Sequence, residues 1–321
     1  MTRPDTIDLI GAAYDSTDEG RADRTLLICS APRTGSYELC RLMAAAGLGT
    51  PHEYFNPNYA DPVAARWGLP QDPLSDQNIS IYVETLRRRR SRNGVFAAKL
   101  QYWQYDRFLR NSCGAALLKE AAFVHLFRPD VAKQFRSFRA ALVSGRWDFS
   151  EKRSRPPQPN SVEAARGSLE MLLREDAGFR RLFVLFNKTP LFLTTEDVVK
   201  RPRETAERVA NLVCVEANLP AMDNMLNASA PYERDAEVDR QVSLTIERLR
   251  CSDNNKTASV PANVKKQPLT HRQNIRDCGQ KPRLSKEQPR AAQQADTRPL
   301  SYRWTTLIRK LPWLNGALRR S

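Results

Sequence analysis

The segment Pro32-Arg33-Thr34-Gly35-Ser36 gathers within five residues the groups that bind a phosphate. A guanidinium, two hydroxyls and the first amides of a following helix would converge on one anion, and Gly35 lets the backbone come close to it. The segment is not a Walker A loop. Ser30 or Ala31 stands where the GxxxxGK pattern needs its first glycine, and no lysine precedes the hydroxyls, which argues against a nucleoside triphosphatase. An ordinary turn with a solvated arginine would use the same residue types; the position directly after a buried strand is what favours an anion site. Arg128 and Ser137 form a second candidate grip, for a second phosphate some distance from the first. Two separated grips suit a nucleotide phosphorylated at both its 5′ and 3′ positions. Arg128 taken alone reads equally well as a helix-start arginine paired with Asp130.

The elements that must position these groups follow from the apolar pattern. Residues 25–29 are an apolar run of strand length just before the loop. Leu39, Leu42, Met43 and Ala46 then fall on one helical stripe, closed by Gly47. Residues 95–100 and 121–127 are continuous enough to be strands buried on both faces. The second leads through Arg128-Pro129-Asp130 into a helix striped by Val131, Phe135, Phe138 and Leu142, with Pro129 suited to the first helical position. Asn160 with Glu163 predicts a capping box for a helix to about Asp176, which Gly178 breaks. Residues 190–194 predict a fourth strand and residues 203–216 a closing helix. Strands alternating with helices predict an α/β fold of three layers around a doubly wound, mainly parallel sheet, with the ligand at the carboxyl ends of the strands.

Of the 321 residues 41% are hydrophobic, enough to bury a core, yet no run of 18 apolar residues occurs. The first ten residues carry acids rather than a basic stretch before an apolar one, so neither a membrane span nor a secretory signal is expected. Six scattered cysteines without ligand spacing read as reduced, mostly buried thiols of a cytoplasmic protein, with no metal site. The net charge of +15 is unevenly spread: from Arg250 onward 16 Lys and Arg face 4 Asp and Glu, a net of +12, leaving +3 for everything before. The expected organisation is a lead-in over 1–24, an α/β domain over 25–250, a disordered basic linker over 251–299 and an amphipathic segment over 300–321. In the last, Trp304, Leu307, Ile308, Leu311, Trp313 and Leu314 lie among Arg303, Arg309, Lys310, Arg319 and Arg320. That composition suits peripheral contact with anionic lipid on the inner face of a membrane, and equally a segment that folds back on its own domain.

Three stretches, LLICSAPRTGSYELCRLMAAAGLGTPHEYFNP, NGVFAAKLQYWQ and HLFRPDVAKQFRSFRAALVSGRW, resemble in this order the bacterial trehalose 2-sulfotransferase family. That family belongs to the enzymes that use 3′-phosphoadenosine 5′-phosphosulfate (PAPS). The resemblance covers much of residues 25–149, weakens toward residue 220, and is carried by PRTGS, PHEYF and RPDVAKQFRS at these separations. It implies a P-loop-like fold, PAPS as donor and a carbohydrate or glycolipid hydroxyl as acceptor; sulfuryl transfer, mostly a matter of positioning and charge stabilisation, calls for no metal. By the same resemblance Arg33, Thr34, Gly35 and Ser36 hold the 5′-phosphosulfate, Arg128 and Ser137 hold the 3′-phosphate, and Glu53 is the general base.

A carboxylate within reach of a hydroxyl can take its proton as the oxygen bonds to sulfur. His52 is the rival, because imidazole titrates near working pH. Arg33, always protonated, would stabilise charge on the leaving phosphate, with Lys99 either helping or serving as a strand-end lysine. Tyr102, Trp103 and Tyr105 line an adenine or sugar pocket, or belong to the core. The tail after about residue 251 has no counterpart in the family pattern, and the Pro-rich stretch 154–159 matches only in composition. Two other classes compete: a small-molecule kinase, separated by its donor, and a basic nucleic-acid-binding module, disfavoured because the domain itself is nearly neutral.

Overall fold

A computed structural model of the chain describes residues 9–16, 22–147, 156–227 and 235–258. The first apolar run is β1 (Arg24–Ser30), the middle strand of a five-stranded sheet. The others are β2 (Ser91–Arg92), β3 (Val95–Leu100), β4 (Ala122–Phe127) and β5 (Leu191–Thr194), in the order β2-β3-β1-β4-β5. The β1–β3, β1–β4 and β4–β5 pairings are parallel, and the short edge strand β2 runs antiparallel to β3. The unbroken apolar runs have the expected cause, since both faces of the sheet are covered. Leu27, Cys29, Phe96, Ala98, Leu100 and Phe123 form one face; Leu26, Ile28, Val95, Ala97, Val124 and Leu126 form the other.

The second face is covered by α1 (Ser36–Ala45), with α8 (Thr195–Lys200), α9 (Pro202–Leu212) and α10 (Leu219–Asn227). Over the first lie α2 (Pro57–Arg66), α3 (Ile79–Arg89), α4 (Tyr102–Phe108), α5 (Ser112–Glu120) and part of α7 (Val162–Leu185). A third apolar cluster, with Phe135, Phe138, Leu172, Val242 and Ile246, joins α6 (Val131–Ser144) and α11 (Ala236–Ala258) to α7. The result is the mixed α/β fold with a mainly parallel sheet that the pattern predicts. Because β3 and β4 flank β1 on opposite sides, the strand order reverses at β1, and its carboxyl end opens on a topological switch point.

Several boundaries differ from expectation. Gly178 does not end a helix: α7 runs through it for 24 residues, and a Cβ there would stand 2.4 Å from the ring of Tyr102, which accounts for the glycine. The cap of α7 is Ser161, whose side chain accepts from the Ala164 amide, and Asn160 instead donates to the Gln241 carbonyl. The closing helix α9 stops at Leu212, and the boundary expected at residue 250 falls inside α11, which Arg166 ties down through Asp253 at 2.6 Å. The described cysteines are free thiols, but Cys214 and Cys251 are exposed rather than buried. Residues 9–16 of the lead-in are bound to the domain: buried Arg90 donates to the carbonyls of Leu9 and Ile10 at 2.9 and 2.7 Å and pairs with Asp15 at 3.0 Å. Among the described residues no helix is long and apolar enough to cross a membrane. Residues 259–321, with most of the expected linker and all of the amphipathic segment, lie outside the described residues.

Candidate active site

After Ser30 the chain turns sharply. Arg33 adopts a φ of 66° and Gly35 a φ of 79°, and Gly35 is the N-cap of α1. Left-handed geometry is free for glycine but costs an arginine about 1 kcal/mol, the kind of local strain that accumulates in functional loops. Three side-chain hydrogen bonds hold the turn. Thr34 Oγ1 donates to the Ala31 carbonyl at 3.1 Å, Gln134 Nε2 to the Pro32 carbonyl at 2.8 Å, and Thr195 Oγ1 to the Thr34 carbonyl at 2.8 Å. The opening amides of α1, which have no acceptor in their own helix, and the buried Ser36 complete the loop.

The guanidinium of Arg33 crosses to α6. Its Nε donates to Ser137 Oγ at 3.1 Å and its Nη1 to the Trp147 carbonyl at 2.6 Å. Arg128, just past β4, donates through Nη1 to the Arg33 carbonyl at 3.5 Å. Arg33 thus bridges the two expected grips, which adjoin as one Arg33 group with a loop side, residues 33–36, and a β4 side, Arg128 and Ser137. The cause is the sheet itself: β1 and β4 are direct neighbours, with Ser30 opposite Leu126, so the chain leaves both strands side by side.

On the other flank of β1 stands Lys99 of β3, level with Ile28. The segment 50–56 runs past it. Lys99 donates its backbone N–H to the His52 carbonyl at 2.9 Å, the Tyr54 hydroxyl bonds the Thr50 carbonyl, and the Tyr82 hydroxyl reaches the Tyr54 carbonyl at 3.0 Å. With Tyr54 and Phe55 wholly buried, this backbone is pinned and Glu53 is aimed at Lys99. Glu53 Oε1 accepts from Lys99 Nζ and from Gln101 Nε2 at 3.2 Å; Oε2 accepts from Asn56 Nδ2 and Gln104 Nε2, each at 3.0 Å. Burial alone would raise the carboxyl group's pKa, but the Lys99 ammonium and the donated hydrogen bonds reverse this and hold it at about 2. His52, the rival base, is driven down to about 3 by burial, so its imidazole is neutral; its ring packs edge-on against Tyr59 at 4.5 Å.

The residues singled out by type or by resemblance thus lie on both flanks of β1: Arg33 to Ser36, Arg128 and Ser137 on the β4 side, Glu53 and Lys99 on the β3 side. Tyr105 is core, Tyr102 packs against Phe179 with ring centroids 5.7 Å apart, and Trp103 stays beside the site, its indole donating to Gln101 Oε1 at 2.9 Å. Asn56, Gln101, Gln104 and Thr195 were not anticipated. The Gln101–Gln104 spacing of a capping box was the available signal for two of them; Thr195 carried none.

A tight loop at a switch point that could accept an anion, with a buried carboxylate and lysine beside it, is an arrangement suited to a group-transfer enzyme. The sequence profile described as Stf0 sulphotransferase matches residues 25–241, and the chain belongs to that family of sulfotransferases. Among solved structures, a mouse sulfotransferase, SULT7A1, crystallised in complex with PAP, is similar at 14% identity with a TM-score of 0.37, over 70% of each chain. No curated protein sequence matches the chain.

Proposed function

We propose that the enzyme transfers the sulfuryl group of PAPS to a hydroxyl of a carbohydrate or glycolipid. The observation that carries this reading is the Glu53 carboxylate, fixed at the end of β3 by Lys99, Asn56, Gln101 and Gln104, across β1 from the Arg33 group. In this reading the phosphosulfate lies on residues 33–36 and the 3′-phosphate against Arg128 and Ser137. The acceptor oxygen attacks sulfur in line. A new oxygen–sulfur bond forms as the bond from sulfur to the bridging phosphate oxygen breaks, the electron pair departs on the phosphate, and Arg33 stabilises that charge. The acceptor's proton passes to Glu53.

A carboxylate held at about 2 is a weak base, and Lys99 is the principal reason it is held there. The anionic phosphosulfate competes for the same ammonium. With Lys99 drawn toward the donor, burial raises the proton affinity of Glu53, so the base becomes competent when the donor is in place. Three side-chain amides and an indole around the carboxylate suit the hydroxyl-rich face of a sugar, which supports a saccharide-bearing acceptor. The test is incubation with sulfur-labelled PAPS and a panel of bacterial glycolipids and saccharides. Label should appear on a hydroxyl of one acceptor; transfer of the terminal phosphate of ATP instead would overturn the reading.

A further inference from the structure

Glu175 is a buried acid of α7 that the chemistry above leaves unused. Its Oε2 accepts the backbone N–H of Tyr102 at 2.6 Å and its Oε1 that of Trp103 at 3.0 Å, the first two residues of α4. Such opening amides lack an acceptor in their own helix. Yet α4 already has a local cap, in which the side chains of Gln101 and Gln104 bond each other's backbone. A second cap comes from a residue 73 positions away that is only 5% exposed. Burying an acid is costly, so this cap points to a constraint on where α4 sits, beyond the need to start a helix. Gly178, three residues further along α7, agrees: a Cβ there would meet the Tyr102 ring at 2.4 Å, so α7 is shaped to receive this turn. The same turn carries two of the three amides that hold Glu53, Gln101 Nε2 and Gln104 Nε2.

We propose that Glu175 is a positioning residue of the transfer: by holding the first turn of α4 on α7 it sets Gln101 and Gln104, and through them the direction in which Glu53 offers its carboxylate. This rests on the reading of Glu53 as the proton acceptor. Ionised, Glu175 accepts both amides strongly; protonated, its hydroxyl oxygen is a weak acceptor and the hold loosens. Burial raises its pKa to about 7; the two amide hydrogen bonds oppose the rise, while the charges of Glu53, on the segment before α2, and Asp106, on α4, add to it. Of these neighbours Glu53 is paired with Lys99 and Asp106 with Arg110 at 2.5 Å. The folded state therefore binds the Glu175 proton more tightly than the unfolded chain. Its burial lowers stability as pH rises from the ordinary 4.5 through about 7, while its hold on α4 strengthens over the same interval. Activity and stability then move in opposite directions with pH, which a cap serving the fold alone would not produce.

The experiment compares wild type, Glu175→Gln, Glu53→Gln and the double variant for turnover between pH 5.5 and 8.5. Affinity for 3′,5′-adenosine bisphosphate and amide exchange at Tyr102 and Trp103 are measured alongside. Glu175→Gln should lose about tenfold or more in turnover at pH 8, the share of a misoriented catalytic group. It should keep nucleotide affinity within about twofold, lack the fall in rate that wild type shows below about pH 7, and add no further loss in the Glu53→Gln background. If Glu175→Gln fails to fold, Glu175→Asp, which keeps the charge but withdraws it by one methylene, should show the same turnover loss with intact nucleotide binding. Wild-type turnover and pH profile in the folded variant, or the same fractional loss with and without Glu53, would overturn the proposal. Should Glu53→Gln itself turn over normally, the proton-acceptor reading fails. Exchange at the two amides then still reports whether Glu175 holds α4.

Discussion

Arg33 carries two duties, and its replacement separates them. Alanine suffers the same left-handed penalty but gives up the bonds to Ser137 and the Trp147 carbonyl, so Arg33→Ala should stay folded with a loss of about 1 to 3 kcal/mol. It should lose at least about tenfold in affinity for 3′,5′-adenosine bisphosphate, the worth of a charged hydrogen bond to phosphate, measured by calorimetry. Glu53→Gln should lower turnover by about 100-fold or more with nucleotide affinity little changed; if His52→Ala shows that pattern and Glu53→Gln does not, the base is the histidine. Stability carries a second signature of Glu53. Its folded pKa lies below the ordinary 4.5, so its contribution is present above that pH and is lost as pH falls through about 2. Melting curves of wild type and Glu53→Gln should therefore diverge above pH 4.5 and converge in acid. Residue types singled out the 32–36 loop, because PRTGS concentrates its polar groups within five positions. They could not announce the cage around Glu53, because Lys99, Gln101 and Gln104 meet it only once β3 is laid beside the segment 50–56.

At the scale of elements, the contact between α7 and α4 makes a sharp prediction. Gly178→Ala drives a methyl into Cγ and Cδ1 of Tyr102, at 2.4 Å, next to the backbone rather than at a yielding tip. Thermal or urea unfolding should show a loss of about 2 kcal/mol, as overpacked sites do. Gly167→Ala on the same helix, where a Cβ meets nothing within 4 Å, should instead gain a few tenths to about 1 kcal/mol. The sequence alone reads Gly178 as a helix breaker, since it shows the cost of glycine and not the ring that requires it. The strands were legible because burial on both faces leaves continuous apolar runs. The short helices α2 to α5 were not. They are 7 to 11 residues long, and their place depends on covering the face of β3 and β1 rather than on their own periodicity.

For the whole molecule, the division of charge between a nearly neutral domain and a basic tail lets the expected membrane contact be tested apart from the transfer. The amphipathic segment 300–321 remains an expectation of the sequence. Intact chain should co-sediment with anionic liposomes at low salt and progressively less as salt rises, whereas a chain ending at residue 258, after α11, should not. Equal sedimentation of both, or of neither, would remove the anchor and leave the sulfotransferase untouched. The central claim is that the Arg33 group holds a nucleotide phosphorylated at both ends. A thermal-shift comparison tests it most directly. At about a hundred times its dissociation constant, 3′,5′-adenosine bisphosphate should stabilise the protein by about 2.7 kcal/mol, while ATP with magnesium does little. Arg128→Ala should erase the preference for the bisphosphate over adenosine 5′-phosphate. Stabilisation by ATP with magnesium equal to or above that by the bisphosphate would contradict the account.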